Sequence, residues 1–141
     1  MKNLILFILL IITASLIQNS YLFNFYGIKP NIVLVVLLTA IPFMVHFLDY
    51  LILIFLAGVL LQASAAFLAV SFGAYFFGNY LPWRQSLNNL TVIACATIVF
   101  YLLAAPAFLY HNWDIALKET TFNLILGTMV YFALWPKRSN I

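Results

Sequence analysis

The chain has 141 residues, 67% hydrophobic and 6% charged, with six Lys or Arg against three Asp or Glu and a formal net charge of +3. A soluble domain carries about 25% charged residues, so the charges here are too few to coat a water-facing surface, and the composition is that of an integral membrane protein. The basic residues Lys2, Lys29, Arg84, Lys118, Lys137 and Arg138 form no stripe or cluster, which excludes the electrostatic footprint of a nucleic-acid binder.

The opening "MKNLILFILLIITASLIQ" carries one basic residue and then an apolar run longer than a secretory h-region. A retained first span over 3–23 is the expectation. "GIKPNIVLVVLLTAIPF" follows, and a second span is expected over 31–47. Pro30 has no N–H to satisfy and its fixed φ suits a first helical turn. Gly27 permits the turn before it, and Lys29 and Asn31 suit a water–lipid boundary.

The apolar stretch from Tyr50 to Leu81 would make a helix of roughly 48 Å, against a hydrocarbon core of roughly 30 Å. Its middle holds Gly58, Gln62 and Ser64, so it is expected to split into two short helices near 50–62 and 65–81. Irregular backbone at membrane depth needs cover from protein or water. The break is thus either a packed re-entrant corner or the wall of a cavity. Two further spans are expected over 86–109 and 120–135, with Pro42 and Pro106 ending or kinking their helices.

Charge placement favours six spans with both termini cytoplasmic. That arrangement puts Lys2, Arg84, Lys137 and Arg138 on one side and Lys29 and Lys118 on the other, as the positive-inside rule prefers. Trp83, Trp113 and Trp135 fall at span ends and fit an interfacial belt. The expected fold is all-α: a single polytopic bundle over 1–141, with helices 3 and 4 short or broken.

His46, Asp49, His111, Asp114 and Glu119 all fall at span ends, and no span has a charge at its centre. Transport by intramembrane titration is therefore disfavoured. The i, i+3 pairs His46/Asp49 and His111/Asp114 lie on opposite faces and make no tetrahedral metal centre. Cys95, the one cysteine, sits in an apolar run and reads as a small hydrophobe, with no CxxC site. Ser64, Ser71 and Ser86 have no neighbouring His with an orienting acid, and no Gly-rich phosphate loop is present. The expectation is a protein that is not an enzyme and has no cofactor.

Uncharged polar residues are more informative. Asn88, Thr91 and Cys95 fall at helical spacing on the fifth span, with Ala94 and Ala105 near the same face. Glu119, Asn123 and Gly127 recur every fourth residue on the sixth. Small and amide-bearing stripes serve close packing and hydrogen bonding between membrane helices. Contact within the bundle, a surface for a partner's helix and a ligand cavity remain open alternatives.

"IKPNIVLVVLLTAI", after a first span and before "LAGVLLQ", resembles the rod shape-determining protein MreD family. That family has a Pro-Asn or Pro-Asp pair opening its second span, matched by Pro30-Asn31. Its third span has a Gly, three apolar residues and an acid, begun here by Gly58. The final span with its basic tail, Lys137 and Arg138, is also similar. Gln62 departs from the family by replacing the acid with an amide.

The resemblance implies a non-enzymatic scaffold of the bacterial cell-elongation machinery in the inner (cytoplasmic) membrane. It would associate with an MreC-like bitopic protein and, through the complex, with the actin-like MreB filament and the wall-synthesising glycosyltransferase and transpeptidase. It further implies a six-helix fold like that of the substrate-binding components of energy-coupling-factor vitamin transporters. Pro30, Asn31, Gly58, Gln62, Asn88, Thr91, Asn123 and Gly127 are then the candidate structural or partner-contact residues, with membrane lipids around them. The alternatives are a transporter subunit of that fold, to whose lid His111, Trp113 and Asp114 would contribute, and a small bundle of unrelated role.

Overall fold

The computed structural model describes residues 2–20 and 31–134. Pro30, Lys29, Trp135, Lys137 and Arg138 lie outside the described residues. Among the described residues the chain is helical throughout its regular structure: α1 (Lys2–Asn19), α2 (Ile32–Ala40), a 3-10 turn (Ile41–Phe43), α3 (Phe47–Leu61), α4 (Ala65–Tyr80), α5 (Gln85–Ala104), α6 (Pro106–His111) and α7 (Trp113–Leu134).

The helix α2 is the hub. Its sequence IVLVVLLTA is apolar on every side, and all nine residues are buried. A helix hydrophobic all round needs neighbours all round, and α2 packs against α1, α3, α4, α5 and α7. Asn31 caps it, its Oδ1 accepting the N–H of Leu34 at 3.1 Å, while the Gln18 Oε1 of α1 accepts the N–H of Val33 at 3.1 Å. Two orphan donors of a buried helix end are thereby satisfied by side chains.

The contacts define two ends. Asn3 Nδ2 donates to the Phe43 carbonyl at 3.2 Å, so α1 runs antiparallel to α2. Phe47 at the start of α3 packs its ring against Phe72, Tyr75 and Phe76 late in α4, so these two form an antiparallel hairpin. Gln85 Nε2 reaches the Pro42 carbonyl at 3.4 Å, placing the start of α5 at the Asn3 end. Tyr131, late in α7, packs its ring at a tilt against Phe43 at the same end, with centroids 5.9 Å apart. The six longer elements thus run alternately up and down.

The split of the long apolar stretch is as expected, and its physical cause is a Schellman-type stop. The Ala63 N–H bonds the Gly58 carbonyl at 2.9 Å and the Gln62 N–H bonds Val59 at 3.4 Å, with Gln62 left-handed at φ 48°. Ser64 then caps α4, its Oγ accepting the Phe67 N–H at 3.3 Å.

Three boundaries differ from the sequence expectation. The 31–47 span is a nine-residue helix and a single 3-10 turn, because Pro42 cannot continue the α-helical ladder. The 86–109 span ends at Ala104, and Pro106 opens the short α6. The expected 110–119 loop is largely helix, since α7 begins at Trp113.

Among the described residues, α1 and α5 are the helices long and apolar enough to cross a bilayer, and each is mostly exposed in the bundle. The 32–43 segment and α3 are apolar but shorter. The outward faces are apolar too: Leu16, Leu48, Phe55, Val59, Leu103 and Phe132 are all exposed.

Candidate functional site

The end of the bundle away from Asn3 gathers polar groups from the ends of four helices. Gln18 and Asn19 close α1, Asn31 opens α2, and Gln62 and Ser64 form the α3–α4 corner. Together with Phe67 and Phe100 they line an open cavity of about 240 Å³. Gln62 and Ser64 at the break are exposed and line this open hollow.

Beneath that end lies a carboxyl. Glu119, expected at a span end, is buried on α7. The Tyr101 hydroxyl of α5 donates to its Oε2, and the backbone N–H of Asn31 faces the same carboxylate. One node thus ties α2, α5 and α7 together. It depends on Asn31, which the sequence singled out, and on Tyr101, which it did not.

The stripe on α7 is inward-facing as its spacing suggested: Glu119, Asn123, Gly127 and Tyr131 are all buried. Asn123 Nδ2 donates to Thr97 Oγ1 on α5 at 3.2 Å. A Cβ on Gly127 would stand 2.3 Å from Ile93 Cδ1 and 3.5 Å from Val35 Cγ1, so the missing side chain is what lets α7 approach α5 and α2. Gly58 plays a milder version of this role, its Cβ position lying 3.0 Å from Leu68 Cδ2 across the hairpin.

The inward face of α5 is set one residue round from the expected stripe. Asn89, Val92, Ile93, Ala96 and Thr97 are buried. Asn88 is half-buried and donates to the Leu81 carbonyl at 2.8 Å, Thr91 bonds its own helix at Leu87, and Cys95 is exposed. Adjacent polar residues, Asn88 and Asn89, both satisfy a helical period. Only the neighbours decide which faces inward.

The two His/Asp spacings lie at different helix starts, and the Asp49 N–H donates to the His46 carbonyl at 3.2 Å. His46 is the N-cap residue of α3 with Asp49 in its first turn, whereas Asp114 pairs with Lys118 at 4.0 Å on the exposed start of α7. No cluster of three metal-ligating side chains occurs among the described residues. Trp83 and Trp113 are both exposed.

No protein-family model matches the chain, and neither the curated proteins nor the solved structures compared with it give a match.

Proposed function

We propose that the chain is a polytopic membrane protein with six crossings and both termini cytoplasmic, acting as a non-enzymatic scaffold of the bacterial cell-elongation machinery. The observation that carries this reading is the place of Asn31. Asn31, the second residue of the Pro-Asn pair on which the resemblance to the MreD family rests, caps α2, whose nine residues are all buried. It thereby fixes the start of the helix around which the other described helices pack. Alternation of the elements supports six crossings, since Asn3, Phe43, Gln85 and Tyr131 share one end and Gln18, Asn31, Gln62 and Glu119 the other. The short α2 fits because its length need only match the bundle interior, not lipid.

On this reading affinity for an MreC-like partner comes from helix packing in lipid, through the exposed apolar faces. The polar residues of Asn123 and Thr97 serve the bundle itself. A second reading, a substrate-binding subunit of an energy-coupling-factor-type transporter, is favoured by one observation: the polar cavity at the Asn31 end.

Affinity capture from native membranes in a gentle detergent separates the two. Recovery of an MreC-like protein with wall-synthesis enzymes, above an untagged control, is expected. Recovery of a paired ATPase and its transmembrane coupler would overturn the scaffold reading.

A further inference from the structure

We propose that the seam between α4 and α5 is a binding site for a phospholipid with a primary ammonium head, phosphatidylethanolamine. Two hollows follow one another along the seam and meet at Val92. An apolar cleft of about 260 Å³ is floored by small residues, Ala69, Gly73 and Ala74 on α4 and Cys95 and Ala96 on α5. At the Asn3 end a polar pocket of about 180 Å³ is lined by Asn79, Gln85, Asn88 and Asn89. From Asn88 to Leu103 the seam extends about 22 Å at about 1.5 Å per residue, longer than a hydrocarbon leaflet of roughly 15 Å. An acyl chain lying in the cleft has its head at the pocket.

The pocket's chemistry selects the head. Asn79 and Asn88 commit their Nδ2 donors to the Tyr75 and Leu81 carbonyls, both at 2.8 Å, and Gln85 donates to Pro42. Two amide oxygens of the lining are uncommitted acceptors. Asn88 Oδ1 and Asn89 Oδ1 have no hydrogen-bond partner among the described residues, and Asn89 is only 4% exposed. A buried carbonyl oxygen left unpaired is costly, and a small shift of these side chains toward the pocket pairs it with an N–H donor. Ethanolamine supplies three such donors, whereas a choline head supplies none. The exposed Arg84, at the N-cap of α5 without a side-chain cap of its own, directly precedes Gln85 of the pocket lining, and its guanidinium chemistry suits a phosphate.

This proposal rests on the membrane reading, and the test separates the two. Alkaline carbonate washing of membranes comes first: release of the full-length chain would overturn the membrane reading and the lipid site with it. With the chain retained, native mass spectrometry of the purified protein follows, with phosphatidylethanolamine or phosphatidylcholine of identical chains. The wild type is expected to keep one ethanolamine lipid in about fivefold preference or more, the worth of one net hydrogen bond. Asn89→Ala should lose the preference. Gly73→Leu, whose Cβ meets nothing within 4 Å, should fill the cleft and lose the adduct. A measurement that needs no variant is alkylation of Cys95, the single cysteine, which the ethanolamine lipid should slow at a lower concentration than the choline lipid. Equal retention of both lipids, adducts undiminished in both variants, or Cys95 protected only in native membranes would each overturn the lipid site while leaving the membrane reading in place.

Discussion

Asn123 on α7 donates its Nδ2 hydrogen to Thr97 Oγ1 on α5 at 3.2 Å, and both side chains are buried. The Thr97 hydroxyl in turn donates to the Ile93 carbonyl at 2.8 Å, so removing Asn123 strands no donor on Thr97. Interhelical hydrogen bonds in a membrane average about 0.6 kcal/mol. A double-mutant cycle of Asn123→Ala and Thr97→Val, read by unfolding of the purified protein in mild detergent, should give a coupling of about 0.5–1 kcal/mol. A coupling near zero would mean the pair is incidental to helix packing.

Two glycines should respond oppositely to one added methyl group. At Gly127 the new Cβ collides with buried Ile93, and overpacking of this kind costs about 1–3 kcal/mol. At Gly73 the Cβ meets open space, and Gly→Ala in a helix interior gains about 0.5–1 kcal/mol. Thermal unfolding should therefore place Gly127→Ala below the wild type and Gly73→Ala at or above it.

Gln62 stands at φ 48°, the one non-glycine residue with positive φ among the described residues. A left-handed conformation costs an L-residue about 1–2 kcal/mol. Gln62→Gly is expected to raise stability by about 1 kcal/mol, and Gln62→Val to lower it by more than that, since a β-branched residue suits this region worst. If Gln62→Gly instead impairs partner or ligand capture while stabilising the fold, the amide serves the cavity it lines.

Asn31→Ala removes the cap of α2, a change typically costing about 1 kcal/mol. The Leu34 N–H it satisfies belongs to a fully buried residue, so water offers no replacement and the cost should reach about 2 kcal/mol, the upper part of the capping range. Asn31→Ser should recover most of it. The comparison of the two midpoints distinguishes a capping role from a partner contact, which Ser would not restore.

Sequence by itself determined the class of structure. The long apolar runs read as helices, and the expectation that a run as long as 50–81 must break near Gln62 matches the Gly58–Ser64 corner. The α7 stripe was readable because Glu119, Asn123 and Gly127 are isolated polar or small residues at one period. Asn31 was readable because a Pro-Asn pair before an apolar run is a helix start whatever surrounds it.

Tertiary structure decided the rest. The face of α5 could not be read because Asn88 and Asn89 differ by only about 100° around a helix, and their neighbours α2, α4 and α7 choose between them. Glu119 looked like an interfacial charge, since burial depends on Tyr101 and Asn31, eighteen and eighty-eight positions away along the chain. The shortness of α2 was hidden too. Its composition is that of a span, but a helix enclosed by five others is sized by its neighbours, and periodicity has no signal for a helix that is apolar on every side.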